Sequence, residues 1–281
     1  MKMKIKELKP IVHMVDNELL QPRNRVTVNL IGAGGTGSHV LTALARLHYM
    51  LNELGHPGIA VTVIDSDVIE RKNRLRMLFT DADVGFPKSV VLVNRVNRFF
   101  GTNWKAVTER YDEDFVKSNL EMAMATITIS CVDSVASRFC VAAILKEIHQ
   151  KAGYSRNVPK YWLDYGNSRH SGQVILATVG EIGQPKSKKF ETVGSLPMVT
   201  DEFPGLLAEA EEKDKGYNCS ASVALLEQDL FINTPLAYIG VEILKKMFCE
   251  GMLFDRGFFM NLKDYRTQPL KVSRKEGICI S

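Results

Sequence analysis

"NLIGAGGTGSHVLTAL", residues 29–44, ends a run of alternating apolar residues and opens a helical apolar pattern. Gly32, Gly34 and Gly37 satisfy G-x-G-x-x-G, and Gly35 and Ser38 extend the same stretch to G-x-G-G-x-G-S. Glycine lets the backbone approach a phosphate closely, and the helix that follows offers unpaired N–H groups at its start. A redox dinucleotide and ATP both exploit that device, so the loop by itself leaves the ligand open.

The pattern on either side sets the fold. "VTVNLIG" (26–32) reads as a buried strand and 37–54 as the helix after it. "IAVTVIDSD" (59–67) reads as a second strand, 88–99 as an amphipathic helix, 104–110 as a third strand and 124–134 as a fourth. Residues 135–151 carry helical periodicity, and 160–167 and 172–180 read as two more strands. Alternating strands and helices predict an α/β fold, a Rossmann-like doubly wound, mainly parallel sheet. A C-terminal helical segment, with a break expected before Pro235, and a terminal strand pair in "GFFMNLKDYRTQPLKV" complete it. In such sheets ligands sit beyond the C-terminal ends of the strands. Gly32–Gly37, Asp65 with Asp67, and the segment 131–134 all fall there.

The 281 residues are read as a single domain. Its expected parts are an N-terminal extension (1–24), a nucleotide-binding core (25–180), a mobile crossover-type loop (181–218) and a helical and strand region (219–281). The loop assignment rests on Gly, Pro and charge in "GEIGQPKSKKFETVGSLP" and "AEAEEKDKGYN". The formal net charge of +4 is spread without a long basic block, which argues against a nucleic-acid surface. The N-terminus lacks the apolar run of a signal peptide, and no stretch is long and apolar enough to span a membrane. Five widely spaced cysteines without C-x-x-C suggest reduced thiols in a cytoplasmic protein and no structural zinc.

Residues downstream of the loop favour ATP. "DSDVIERKNRLRMLFTDADVGFPK" brings Asn73, Arg76 and Lys88 after the Asp pair. A nicotinamide dinucleotide has no need of such cations there, whereas a triphosphate under attack does, because charge builds on its oxygens. Asp65 can accept from ribose hydroxyls, and Asp133, closing the fourth strand, can hold Mg²⁺.

The ordered set "GAGGTGS", "DSDVI", "NRLR", "GFPK" and "CVDSVASR" resembles the ThiF/MoeB/E1 superfamily of ubiquitin-activating-type enzymes over roughly residues 25–180. "WLDYGN", "GQVIL" and "LEQDLFINTPLA" narrow the likeness to ThiF-type proteins of PRTRC plasmid systems. The resemblance implies that the C-terminal carboxylate of a ubiquitin-like or sulfur-carrier-like protein, ending in a Gly tail, attacks the α-phosphate of ATP. Carried over residue by residue, Gly32, Gly34, Gly35, Thr36, Gly37 and Ser38 would cradle ATP. Asp65 would hold the ribose, with Asp67 also among the cofactor-binding residues, Asn73 and Arg76 would hold the phosphates, and Lys88 the β/γ region, while Asp133 would coordinate Mg²⁺. Arg76 and Lys88 are thus the expected catalytic cations. A carboxylate nucleophile is already ionised at pH 7, so no general base is required.

The resemblance also implies a homodimer, with Arg23 as a candidate to reach across it, and a thioester-forming cysteine near Cys219. A small residue at a loop–helix junction is the plain alternative for Cys219. Cys131, Cys140 and Cys249 are read as packing residues. Asp164 is open between tail binding and structural hydrogen bonding, and Arg138 is read as an ion-pair partner of Asp133 or a neighbour. Two rival functions stand beside adenylation: an NAD(P)-dependent Rossmann oxidoreductase, and a non-catalytic ATP-binding partner protein of the same fold.

Overall fold

The computed structural model describes residues 9–75, 77, 79–151, 153, 157–208 and 230–274. Strand Ile11–Met14 (β1) and the single turn Asn17–Leu20 (α1) lead into Val26–Ile31 (β2), the strand named from the glycine-rich stretch. β2 is flanked by parallel partners on both edges, Ile59–Ile64 (β3) and Ile127–Ser130 (β5). Lys105–Val107 (β4) adds parallel to β3, and Tyr161–Asn167 (β6) adds parallel to β5. The helices Gly35–Glu53 (α2) and Lys88–Phe100 (α3) make the first two crossovers. Glu113–Ser118 (α4) with Leu120–Ala123 (α5), and then Val135–Lys151 (α6), make the next two.

From β2 the chain winds outward through β3 and β4, then returns to the other side of β2 to lay down β5 and β6. The direction of winding reverses between β2 and β5, and that reversal opens a crevice at the C-terminal ends of the strands. Beyond β6 the sheet becomes antiparallel. Ser171–Thr178 (β7), Asp255–Asn261 (β10) and Arg266–Lys271 (β11) extend it to eight strands among the described residues. The expected doubly wound, mainly parallel sheet and its terminal strand pair are therefore both present.

Alternation along each strand divides the core between the two faces. Val28 and Leu30 of β2, Val61 and Val63 of β3, and Leu163 of β6 pack with α2 and α3. The C-terminal helix Asn233–Glu250 (α8) closes the same face. Ile31, Ile64, Trp162 and Ile175 point the other way, against α6 and Phe115 of α4. Helix α8 begins two residues before Pro235, so the proline sits in the first turn, where its missing N–H costs nothing. Residues 219–229, the start of the expected helical stretch, lie outside the described residues.

The described part of the N-terminal extension, from residue 9 on, contributes a strand: β1 pairs with Glu191–Thr192 (β8) on one side and Met252–Leu253 (β9) on the other. Within this small sheet His13 is fully buried, with Nδ1 2.7 Å from the Val193 carbonyl and Nε2 3.1 Å from the Tyr161 hydroxyl. Burial holds its pKa below the usual histidine value, so the neutral ring ties the small sheet to β6.

The described part of the expected mobile loop, 181–208, is packed rather than free. Gln184 bonds both the N–H and the carbonyl of Met14, as a neighbouring strand would. Ile182, Leu196 and Met198 are buried beside the sheet. Arg256 of β10, 1% exposed, donates to the Pro197 carbonyl and pairs with Glu202 at the end of Val199–Glu202 (α7). A few apolar anchors and side-chain bonds fix this stretch, so its polar composition concealed an ordered path. Residues 209–218 of the same loop lie outside the described residues.

Candidate functional site

The cleft follows from the way α2 starts. Gly32 turns the chain out of β2 with φ +89°, a left-handed conformation that a side chain would strain. A Cβ there would also meet the Cys131 carbonyl oxygen at 2.8 Å. Gly37 lies on the inner side of the first helical turn, where a Cβ would stand 1.9 Å from the Gly32 carbonyl oxygen. Only glycine at both places lets the helix begin immediately over the strand end. Gly34 is the N-cap, with no side chain to satisfy the helix N–H groups, and the first turn carries no acidic residue. The donors and the positive end of the helix dipole are left for an anion.

The opening measures about 520 Å³. Gly32, Gly34, Gly35 and Thr36 line it from the loop. Asp65, Asp67, Asn73 and Lys88 line it from the β3 side, and Asp133 from the end of β5. Nine of the residues expected around a nucleotide thus share one cleft. Gly37 and Ser38 lie behind it: Gly37 packs on Gly32, and the Ser38 hydroxyl donates to the Gly35 carbonyl at 3.0 Å. Their contribution is to hold the loop's shape. Arg76 and Cys219 lie outside the described residues.

The β3 side is pre-set by hydrogen bonds. Asp65 accepts from the Ala33 N–H through one carboxylate oxygen and from the Asp67 N–H, at 2.8 Å, through the other. Burial pushes its pKa up, while those two N–H groups and nearby Lys88 pull it back. Each oxygen keeps a second lone pair for a hydroxyl donor. Lys88, at the first position of α3 after Pro87, is 7% exposed and pairs with Asp67 at 2.7 Å. Its ammonium has two further donors. Asn73 is fixed by its Oδ1, which accepts from the Glu70 N–H at 2.8 Å. Its Nδ2 then has no partner among the described residues. Asp133 is exposed and likewise makes no hydrogen bond or ion pair among the described residues.

On the β6 side the cleft has a polar group to which the sequence reading gave no role. Asn233, at the first turn of α8, accepts at Oδ1 from the Thr36 hydroxyl at 2.8 Å and from Asn167 Nδ2 at 2.7 Å. Asn167 closes β6, and its Nδ2 also reaches the Thr36 hydroxyl at 3.1 Å. Both asparagines line the cleft with Tyr165.

Asp164 and Arg138 belong to the framework instead. Asp164, 1% exposed, accepts from Ser130 and from Arg138 Nε at 3.2 Å, so it is occupied structurally rather than open to a tail. Arg138 also donates to the carbonyls of Val132 and Tyr165. Its ion-pair partner is Asp164, not Asp133, and the pair braces the β5 and β6 strand ends. Cys249, expected to be a packing residue, is exposed near the end of α8, while Cys131 and Cys140 are half-buried.

The two kinds of glycine separate in stability. Gly37→Ala must displace the Gly32 backbone, and overpacking of this kind costs about 1–3 kcal/mol or more. Gly34 has only Met77 Cε near its missing Cβ, at 3.9 Å, so Gly34→Ala should stay within about 0.5 kcal/mol of wild type. Melting curves of the two variants check this; equal losses would contradict the packing role assigned to Gly37.

No curated protein matches the sequence. Among solved structures, PaaA superposes with a TM-score of 0.60 at 16% identity, covering 91% of this chain and 75% of that one. E. coli MccB with ATP gives a TM-score of 0.56 at 17% identity, over 94% of this chain and 67% of that one. E. coli MccB with MccA-N7isoASN gives 0.55 at 18% identity, over 90% of this chain and 66% of that one. This chain spans about two thirds of the length of the MccB chains, and at such identities the likeness is one of fold. A family model matches residues 9–215, which takes in the whole of the expected core at 25–180 and most of the segment after it, and on that match the chain belongs to the ThiF family.

Proposed function

We propose that this protein is an E1-like adenylating enzyme. It uses Mg-ATP to activate the C-terminal carboxylate of a small ubiquitin-like or sulfur-carrier-like protein with a Gly tail. The observation that carries the reading is the union of Asp65, Asn73, Lys88 and Asp133 with the acid-free start of α2 in one cleft. Membership of the ThiF family and the fold shared with MccB, which was crystallised with ATP, support it. An NAD(P)-dependent oxidoreductase would use the loop and Asp65 but would leave Lys88, Asn73 and Asp133 without work.

In this reading a carboxylate oxygen of the tail attacks the α-phosphorus. The bond from that phosphorus to the bridging oxygen breaks, and pyrophosphate leaves with the electron pair. The product is an acyl-adenylate, and no proton moves. Asp65 holds the ribose, the N–H groups of the loop meet the α-phosphate, and Lys88 with Asn73 meets the charge that builds on the leaving pyrophosphate. Arg76 is proposed to join them. Preorganised positioning and charge neutralisation are the whole of the catalytic task.

Among the described residues no three His, Cys, Asp or Glu side chains gather at one point. Asp133 therefore suits a Mg²⁺ held mainly by phosphate oxygens and water, the usual manner for that ion. Mg²⁺ would neutralise phosphate charge there. Homodimerisation belongs to the same proposal. Arg23 sits at the opposite end of β2 from the loop and is exposed, so it could serve only a partner's site. The finer placement among PRTRC-type ThiF proteins rests on the sequence stretches quoted above.

Mg-ATP should raise the melting temperature, and NAD⁺ and NADP⁺ should not. A ligand of the folded state at a hundredfold excess over Kd adds about 2.7 kcal/mol. Lys88→Ala should lower Mg-ATP affinity at least tenfold, as expected from the roughly 1.5–3 kcal/mol of a charged hydrogen bond. A shift with NAD⁺ and none with Mg-ATP would replace this reading with the oxidoreductase.

Cys219 is proposed to accept the activated acyl group as a thioester: its thiol loses its proton to solvent, the sulfur attacks the acyl carbon, and the bond to the phosphate oxygen breaks as AMP leaves. Cys219→Ala should keep adenylation and lose any adduct that thiols cleave; an undiminished adduct would return Cys219 to a structural role.

A further inference from the structure

Away from the cleft, a buried titratable group sits at the joint between the two sheets. His13 lies on β1, the middle strand of the small sheet. The ladders that hold β1 are short, with two residue pairs to β8 and two to β9. Among the described residues β1 makes no backbone pair with the eight-stranded sheet. The His13 ring on Tyr161 makes that connection, helped by Val15 and Leu19, which are buried in the core just after β1.

The hydrogen bonds around His13 admit one protonation state. The Val193 carbonyl can only accept, so Nδ1 carries the ring proton. The Asp16 N–H can only donate, and it donates to the Tyr161 oxygen at 2.9 Å. Nε2 is then an acceptor, and the Tyr161 hydroxyl donates to it. Both ends of this chain are backbone groups, so its direction cannot be reversed. A second ring proton would stand on Nε2 and point at the Tyr161 oxygen, which already takes the Asp16 N–H. The hydroxyl hydrogen would lose its acceptor and has no other among the described residues.

No carboxylate is placed to offset the added charge. Tyr161 is the ionisable group that meets the ring, and burial pushes its own pKa up, which keeps it neutral. On α1 and the residue before it, Glu18 and Asp16 share Lys160 of the β6 side. Glu191 of β8 pairs with Arg274, and β9 carries no ionisable side chain. Lys9 donates to the Ser187 carbonyl, while Glu181 and Glu250 are exposed. Burial therefore holds the folded ring below the ordinary histidine value. With the folded pKa lowered, the closed state keeps its full stability above about pH 6.5 and loses it as pH falls toward the folded value.

We propose that the small sheet is an acid-sensitive latch: the opening of β1 away from Tyr161 and from the 181–208 segment takes up one proton at His13, while the eight-stranded sheet stays folded. Below about pH 6.5 each further unit of acid raises the open fraction up to about tenfold. The latch is independent of the cleft and of the adenylation reading.

Hydrogen exchange of the full chain at about pH 7.5 and about pH 5.5 tests this, with protection factors corrected for the intrinsic rate at each pH. The stretches 10–16 and 190–194 should be less protected than β2 and β3 at both values, because they open without global unfolding. In wild type their protection should fall about fivefold or more on acidification. In His13→Gln, which cannot titrate, the fall should shrink below about twofold; if that variant does not fold, His13→Asn takes its place. His56 is the control, because its Nε2 lies 2.9 Å from the Leu19 carbonyl beneath α1. His56→Gln should keep the wild-type fall. Protection equal to that of β2 and β3, no fall in wild type, or a fall that survives in the His13 variant overturns the latch. A fall abolished by His56→Gln overturns it too, by moving the proton to His56.

Discussion

Gly37 rests against the carbonyl of Gly32 at a distance no side chain would permit. That contact lets α2 rise directly from the end of β2, and from it the geometry of the cleft follows. The loop's N–H groups are brought to the point where the sheet reverses its winding. Asp65, at the end of the next strand, reaches across to the Ala33 N–H and ties the loop to β3. Thr36 does the same on the other side, through Asn233 and Asn167, and ties it to α8 and β6. Both ties are made without a ligand, and fixed donors of this kind are what electrostatic preorganisation requires.

The two sides differ in character. Toward β3 the wall is charged, with Lys88 buried at the head of α3 and neutralised by Asp67. A phosphate entering there can take over part of that pairing at little reorganisation. Toward β6 the charged pair Arg138–Asp164 is consumed in bracing the strand ends, and the wall facing the cleft is made of neutral amides.

Much of this was legible in the sequence because it is local. The strand and helix segments of the core follow from periods of 2 and 3.6, and the glycine loop, Asp65, Asn73, Lys88 and Asp133 are short motifs at strand or helix ends. What was hidden depends on long-range contact. Asn233 meets Thr36 and Asn167 from distant parts of the chain, and no spacing rule joins them. Asp164 looked available because its partners, Ser130 and Arg138, come from other elements. The segment 181–208 looked free because polar residues dominate it, while its order comes from a few anchors such as Gln184 on Met14. Composition reports the average of a segment, and these anchors are the exceptions within it.

The central claim is that the cleft exposes the α-phosphate of ATP to a carboxylate. The bond that is cut tests it most directly. γ-Labelled ATP, Mg²⁺ and a small protein ending in a free glycine carboxylate that stimulates turnover should yield label in pyrophosphate, with AMP retained on the acceptor. Label released as orthophosphate, with ADP as the partner product, would contradict the account.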